Sequence, residues 1–296
     1  MIKICVLGGH NSMQRLINRD DIEFYELYDP DPYAISIPQW GIEYTNFVNS
    51  INPDYVICIN IRLSCQQCNS WIQTVKKNNM KFVMWSFDSY RHHTVFHTNA
   101  DLYFYCLDDD VKKSDDKFLP VYAQPRNIIK LEDRRYNIGM IYNNYPGYRQ
   151  QEISKIQHLL DLNTNVEFRA FYPTIGNLKF GLNISVYYDG LPNYRTFEYA
   201  GCGVYQICSS RNRNVLEELL PYGVSYYNNI EELPEIVNSI TNYDPERIKK
   251  QVATRHTLLH RIKTIMSHFD INIRIIPEDE EVWTFEDYQK RHNVSN

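Results

Sequence analysis

Short apolar runs alternate along this chain with stretches in which apolar side chains recur every three or four residues. The runs predict strands at residues 2–7, 22–28, 55–61, 81–85, 102–107, 118–123, 136–142, 166–171, 180–186, 204–208 and 223–227. The spaced apolar positions predict helices, and the last pattern, from Ile248 to Phe269, predicts one long helix beginning near Pro245. Strands that alternate with helices in two successive sets predict two doubly wound α/β domains that face each other across a cleft.

The stretch from Lys179 to Ser210 contains the most informative local pattern. An apolar strand leads into a turn, after which Asn193 can cap a short helix that runs to about Ala200. Gly201 and Gly203 close this helix, and residues 204–208 read as a buried strand. The pattern therefore predicts a helix whose N-terminus points out of a sheet crevice.

Two side chains on this short helix indicate what kind of ligand it could bind. Arg195 lies in its first turn and Glu198 lies three residues later, so both project from one face. A helix N-terminus favours anions, arginine suits a phosphate and a carboxylate suits sugar hydroxyls. The combination predicts a site for a nucleotide diphosphate with its ribose.

Four motifs in order resemble the group 1 glycosyltransferases of GT-B fold, and most closely their CgeB-like branch, which occurs in spore-coat proteins and phages. They are Trp85-Ser86-Phe87-Asp88-Ser89, Lys179-Phe180-Gly181-Leu182-Asn183, Arg195-Thr196-Phe197-Glu198 followed by Gly203, and His256-Thr257 followed by Arg261. The larger group has two glutamates eight residues apart. Glu198 matches the second, whereas Gly190 stands in place of the first.

The resemblance implies a GT-B fold with two Rossmann-like doubly wound domains facing a central cleft. Residues 125–135 are charged and lack an apolar stripe, as is typical of a linker. We therefore predict an acceptor-side domain over 1–128 and a nucleotide-sugar-binding domain over 129–270. The resemblance implies that the last segment, 271–296, returns to the first domain.

The resemblance also assigns roles to individual residues. The expected donor-binding residues are Gly9, Arg149, Lys179, Asn193, Arg195 and Glu198. Asp88 and His10 are the expected catalytic residues, with Asp88 taking the acceptor proton as general base. Simpler interpretations stay open: Asp88 caps a helix, His10 is a polar loop residue, and Arg149 forms a surface salt bridge.

Three other motifs are less specific for a function. The loop around Gly9 follows the first strand but lacks the full G-x-G-x-x-G, which disfavours NAD. Asp108-Asp109-Asp110 resembles the metal-binding motif of GT-A enzymes, but acidic residues are also favoured in the first turn of a helix, and we prefer that interpretation. Cys65 and Cys68 form a single C-x-x-C with no matching second pair, so we interpret them as incidental thiols. We expect neither a metal nor a cofactor, only a nucleotide-diphosphate sugar, most simply a UDP-sugar, as co-substrate.

The net charge of -5 gives no general electrostatic footprint for nucleic acid. Seven cysteines, with no signal-peptide pattern and no long apolar run, indicate a reduced, cytoplasmic protein (the host cytoplasm if a phage encodes it). A small molecule, a protein and a polysaccharide are open as acceptors. Hydroxymethylated pyrimidines of phage DNA are a specific alternative, since basic residues of the first domain could form a local groove. A non-catalytic binding protein that kept the fold is the alternative of another class.

Overall fold

The computed structural model describes residues 1–10, 18, 21–29, 37–59, 72–73, 75–76, 79–86, 100–105, 117–123, 125–141, 154–156, 158–159, 165–166, 175–184 and 192–275. The chain divides into two compact units, Met1–Pro120 and Val121–Asn296. Each unit contains one parallel sheet.

The first unit is built on six parallel strands in the order β2-β1-β3-β4-β5-β6. They are β1 (Ile2–His10), β2 (Ile22–Asp29), β3 (Tyr55–Ile59), β4 (Lys81–Ser86), β5 (Leu102–Tyr105) and β6 (Lys117–Phe118), with helix α1 (Ile37–Ile51) between β2 and β3. Alternate residues of β1, β3 and β4 pack with Tyr44 and Val48 of α1 in one buried cluster. The intervening strand residues are buried too, as expected for a parallel sheet covered on both faces.

The second unit repeats this topology with five strands in the order β11-β10-β9-β7-β8. They are β7 (Tyr136–Ile141), β8 (Asn165–Val166), β9 (Leu178–Asn183), β10 (Tyr205–Ser209) and β11 (Val224–Tyr227). The helices described from end to end in this unit are α2 (Tyr194–Gly201), α3 (Arg213–Leu219), α4 (Leu233–Ser239), α5 (Pro245–Arg255) and α6 (Leu258–Ser267). The predicted class, α/β with two Rossmann-like domains, is confirmed.

In both sheets the strand order reverses beside the first strand of the unit. This switch point lies between β1 and β3 in the first sheet and between β7 and β9 in the second. Ligands of such sheets bind outside the carboxyl ends of the strands at the switch point. The carboxyl ends of β7 and β9 are therefore where a site is expected in the second unit.

The predicted long helix from Pro245 is wrong in one respect, because it is two helices. α5 ends at Arg255, Thr257 has an extended backbone with φ -80° and ψ 166°, and α6 begins at Leu258. Apolar residues on both sides of the break pack into the core, so their spacing continues across it. The spacing alone could not reveal the break.

The predicted linker at 125–135 is packed on the second unit. The backbone N–H of Arg126 donates to the carbonyl of Gly201 at 2.9 Å, and that of Ala123 donates to the carbonyl of His256 at 3.0 Å. The division at Pro120 therefore lies before the boundary placed at residue 128 from the sequence. The functional limits 1–128, 129–270 and 271–296 stay a prediction.

Gly203, which follows α2, is expected to tolerate no side chain. Its φ of +64° lies in the left-handed region, and an added Cβ would lie 2.3 Å from Cδ1 of Ile128 and 2.7 Å from the carbonyl oxygen of Pro245. Strained backbone and overpacking together are expected to make Gly203→Ala lower the free energy of unfolding by about 2–4 kcal/mol. Urea denaturation followed by far-UV circular dichroism measures this loss.

Gly176→Ala is the matched control for this substitution. Its added Cβ would make only ordinary contact with Ile129, 3.5 Å from Cδ1. We expect a change within about 0.5 kcal/mol. Equal losses for the two variants would contradict the steric explanation.

Candidate functional site

Helix α2 begins beside the carboxyl end of β9, and two asparagines hold it there. Nδ2 of Asn183, the last residue of β9, donates to Oδ1 of Asn193 at 3.1 Å. Nδ2 of Asn193 donates back to Oδ1 of Asn183 at 2.8 Å. This reciprocal amide pair joins the end of the strand to the N-cap of the helix, across ten residues of sequence.

The first turn of α2 is fixed by further hydrogen bonds. Oδ1 of Asn193 accepts from the backbone N–H of Thr196 at 3.1 Å, which confirms Asn193 as the N-cap. Oγ1 of Thr196 accepts from Nδ2 of Asn183 at 2.9 Å, and Nε2 of Gln206 on β10 donates to the carbonyl of Thr196 at 2.8 Å. Asn183, Thr196 and Gln206 are all buried. The turn is thus anchored to two adjacent strands and preorganised.

Arg195 and Glu198 form an ion pair on one face of this helix. Nη1 of Arg195 lies 2.5 Å from Oε2 of Glu198, and the two side chains are only 14 % and 5 % exposed. Burial raises the pKa of Glu198, while the positive charges of Arg195 and then Arg126 act in the opposite direction. A carboxylate and a guanidinium therefore lie together in a largely desolvated place, where charge interactions are stronger than in water.

Helix α2 packs closely against β9 because Gly181 has no side chain. A Cβ added at Gly181 would lie 2.9 Å from the ring of Tyr199, which is fully buried. Gly181 belongs to the Lys179–Asn183 motif, so the motif glycine has a packing role. It sets the distance between the helix and the strand whose end carries Asn183.

His256 and Arg261 pack against the face of α2 that carries Phe197. The rings of Phe197 and His256 are 5.0 Å apart between centroids, and Cζ of Arg261 lies 5.6 Å from the centre of the Phe197 ring. Nη2 of Arg261 donates to Nδ1 of His256 at 2.7 Å, and Nε and Nη2 donate to the carbonyl of Val121. Because arginine only donates, Nδ1 of His256 is the acceptor and the proton is on Nε2, which donates to the carbonyl of Leu219 at 2.8 Å.

The structure brings Asn193, Arg195 and Glu198 together but places Lys179 elsewhere. Lys179 is the second residue of β9, four residues and about 13 Å along the strand from Asn183. Its carbonyl accepts a hydrogen bond from the hydroxyl of Tyr243. Lys179 thus lies toward the amino end of the strand, away from the end that α2 follows.

The candidate residues of the first unit lie on or after its central strands. Gly9 and His10 end β1, next to a register irregularity between Leu7 and His10, and Gly8 has φ 76°. They are at the carboxyl edge of β1, beside the switch point with β3. Asp88, like Arg149 of the second unit, lies outside the described residues.

Two buried arginines in the predicted linker were not predicted from the sequence. Arg126 lies along α2, and Arg134 donates to carbonyl groups at the C-terminal end of the same helix, those of Cys202 and Gly203. The charge of residues 125–135 and their lack of an apolar stripe predict a linker and give no sign that these two side chains are buried. The one sequence feature that could indicate burial of these arginines is the lack of acidic residues three or four positions away, and this is a weak indication.

Among the described residues, no group of three His, Cys, Asp or Glu side chains could hold a metal ion. Asp108-Asp109-Asp110 and the pair Cys65 and Cys68 lie outside that part of the chain. In the same part, no helix is both long enough and apolar enough to cross a membrane.

Residues 131–267 match a family model described as glycosyl transferase-like. The range runs from just before β7 to the end of α6 and includes Asn183, Asn193, Arg195 and Glu198. The match supports sugar transfer as the general activity. No curated protein matches the sequence significantly.

Several solved structures are loosely similar to the chain. A UDP-GlcNAc 2-epimerase from Methanocaldococcus jannaschii has a TM-score of 0.47 at 12 % identity, with 90 % of this chain and 100 % of that chain covered. MnaA of S. aureus, solved with UDP, has a TM-score of 0.45 at 8 % identity, with 93 % and 100 % covered. MurG of Acinetobacter baumannii has a TM-score of 0.43 at 8 % identity, with 91 % and 99 % covered. Likeness at this level establishes neither ligand nor activity.

Proposed function

We propose that this protein is a metal-independent, nucleotide-sugar-dependent glycosyltransferase of GT-B type, whose second unit binds the donor at the first turn of α2. The observation that carries the proposal is the buried Arg195–Glu198 pair, held by Asn183 and Asn193 at the carboxyl end of β9. Sites of doubly wound sheets are found at this edge. The pair lies within the range that matches the glycosyl transferase-like model.

Each part of the turn has a task toward the donor. Arg195 binds the diphosphate and neutralises the charge that grows on it as the glycosidic bond breaks, with help from the N-terminal dipole of α2. Glu198 accepts hydrogen bonds from the ribose hydroxyls through its carboxylate. Asn193 contributes by capping and orienting the turn. We take a UDP-sugar as the donor and assign no cofactor.

The acceptor is assigned to the first unit on the resemblance. His10 at the end of β1 and Asp88 after β4 are the residues assigned beside it, with Asp88 as general base. Gly9 and Arg149 are assigned to the donor. Exclusion of water from around the bound donor would protect it from hydrolysis.

The finer identity rests on the motifs alone. Lys179–Asn183, Arg195 to Glu198 and the pair of His256 and Arg261 support placement in the CgeB-like branch. That branch makes hydroxymethylated pyrimidines of phage DNA one acceptor to test, although the net charge of -5 argues against a broad DNA surface. The cysteines at positions 5, 58, 202 and 208 are buried free thiols, which fits a cytoplasmic location.

Nucleotide release from a panel of nucleotide sugars tests the proposal. The panel is run with sugar alcohols, with unmodified DNA and with hydroxymethylated DNA at two salt concentrations. Arg195→Ala is expected to lower kcat/KM by about 100–1000-fold, as for other lost charge-stabilising groups. Glu198→Gln is expected to lower it by about 10–100-fold, because a charged acceptor becomes a neutral amide.

The exposed pair of Arg213 and Glu217 on α3 provides the matched control. It has the same residue types at i,i+4 spacing, with side chains 53 % and 59 % exposed. Arg213→Ala and Glu217→Gln should change kcat/KM by no more than about twofold. If no donor binds or turns over, the protein is a non-catalytic member of the fold. If activity is present but indifferent to Arg195 and Glu198, the donor site has been assigned wrongly.

A further inference from the structure

Gln206 is a polar side chain that is fully buried against the first turn of α2. It lies on β10, is 0 % exposed and pairs in register with Gly181 of β9. Residues that pair in register point to the same face of a sheet, and Gly181 faces the ring of Tyr199 on α2. Gln206 therefore faces the helix, where its Nε2 donates to the carbonyl of Thr196 at 2.8 Å.

Only one end of this amide has a partner. A carbonyl can only accept, so the atom of Gln206 next to the Thr196 oxygen is the nitrogen, which fixes the orientation of the amide. Within the part of the chain that the structure describes, the buried Oε1 of Gln206 has no hydrogen-bond partner. A buried acceptor without a partner lowers stability. The carbonyl of Thr196 does not require Gln206 either, since a carbonyl inside an α-helix accepts from the N–H four residues later.

Folding stability therefore does not explain a glutamine at position 206. Methionine is an unbranched apolar side chain of the same length, and it would fill the space without leaving an acceptor unsatisfied. What glutamine adds is a directional hydrogen bond to one carbonyl of α2. A buried polar side chain can fix one arrangement of packed elements at a cost in stability.

The residue that Gln206 holds is the neighbour of Arg195. Thr196 is also held from β9, because its hydroxyl accepts from Nδ2 of Asn183 at 2.9 Å. Thr196 is thus fixed by two strands, with Arg195 directly before it and Glu198 two residues after it. The direction in which the first turn of α2 presents Arg195 therefore depends on both hydrogen bonds.

We propose that Gln206 is a positioning residue, which holds the first turn of α2 in the orientation in which Arg195 meets the diphosphate of a nucleotide ligand. The inference rests on the proposed function, because it takes a nucleotide diphosphate as the ligand. Since the side chain of Gln206 is fully buried, it acts on the ligand only through the helix. Its effect on ligand affinity must therefore depend on Arg195 and must appear without a loss of stability.

A double-mutant cycle measured with UDP tests this inference. Calorimetry gives the dissociation constants of the wild type, Gln206→Met, Arg195→Ala and the double variant. Gln206→Met is expected to weaken UDP binding about tenfold when Arg195 is present and less than about threefold in the Arg195→Ala background. The Tm of Gln206→Met should equal or exceed that of the wild type, because the substitution removes an unsatisfied acceptor.

Ile207→Met is the matched control. Ile207 is the next residue of β10, is equally buried and faces the other side of the sheet. Its replacement repacks the core on the face away from α2. UDP affinity should therefore change by no more than about twofold, even if Tm falls by about 2–4 °C.

Three results would overturn the inference. Unchanged UDP affinity in Gln206→Met would show that the hydrogen bond to Thr196 positions nothing that the ligand needs. Equal weakening with and without Arg195 would show that Gln206 does not act through Arg195. A Tm of Gln206→Met more than about 4 °C below that of the wild type would show a general structural role.

Hydrogen exchange of the ligand-free proteins separates this inference from the proposed function. In Gln206→Met the backbone amides of residues 194–200 are expected to exchange about tenfold faster relative to those of α6, because the turn opens locally more often. In Ile207→Met this ratio should stay within about twofold of the wild type. If the wild type binds no UDP, the proposed function fails, and exchange alone decides on Gln206. A tenfold rise then supports Gln206 as the residue that holds the turn, and an unchanged ratio overturns the inference, whatever the protein binds.

Discussion

Replacing Arg134 with methionine is expected to lower the free energy of unfolding by about 3–5 kcal/mol, because buried acceptors lose their only charged donor. The side chain of Arg134 is buried, and burial lowers its pKa. Its donors reach the carbonyls of Ile129 (3.0 Å), Leu178 (2.8 Å), Cys202 (3.5 Å) and Gly203 (3.1 Å), and the hydroxyl of Tyr243 (3.1 Å). Methionine fills a similar space but donates to none of them.

Urea denaturation measures the loss, and the next residue supplies the control. Arg135 is exposed, so Arg135→Met removes the same charge at nearly the same place and should cost no more than about 0.5 kcal/mol. If both variants lose the same stability, the hydrogen bonds of Arg134 contribute nothing specific. A lysine at 134 should recover only part of the loss, since it cannot reach five acceptors in a fixed fork.

Acidification is expected to destabilise the second unit through His256. Burial, and then the charge of Arg261, lower the pKa of His256 to about 3 from its ordinary 6.5. The unfolded chain therefore binds this proton near pH 6.5, whereas the folded protein does not bind it until about pH 3. The contribution of neutral His256 to the free energy of unfolding is fully present above pH 6.5. It falls as the pH drops below this value, by about 3 kcal/mol at pH 4. The physical cause is direct: a proton on Nδ1 would point at the Nη2 donor of Arg261.

Urea midpoints between pH 8 and pH 4 test this expectation. His256→Asn should be less stable at pH 8 but should lose less stability on acidification than the wild type, because it has no ring to protonate. His268, exposed just after α6, is the control, and His268→Asn should leave the pH dependence unchanged. Carboxylates titrate alike in all three proteins and cancel in the comparison. Parallel pH curves for the wild type and His256→Asn would disprove the role of His256.

Local patterns were enough to predict the site helix and the shared face of Arg195 and Glu198. The capping by Asn193 depends on residues within three positions, and the pairing of Arg195 with Glu198 depends on one turn of helix. The strand alternation likewise predicted two parallel sheets. The cap and the shared face are readable because the sequence separation of the residues involved is short, and the strands are readable because each has its own apolar pattern.

Features that depend on distant backbone groups could not be read in this way. Arg134 bonds to carbonyls up to 69 residues away, and those partners have no side-chain signature. The motif lysine, Lys179, was expected near the phosphates, yet the direction of β9 carries it to the other end of the strand. The break between α5 and α6 was hidden because the core accepts the same apolar spacing from one helix or two.

The brevity of α2 has a consequence for where this protein can fail. Eight residues make a helix about 12 Å long, too short to persist in water without support from its surroundings. Its two ends are therefore stabilised together. The hydrogen bonds from Arg134 to the carbonyls that follow its C-terminal end also keep Arg195 in place at its N-terminal end. Inherited substitutions at the C-terminal end of this helix make no contact with a substrate. They should nevertheless abolish activity as completely as substitutions of the residues that bind.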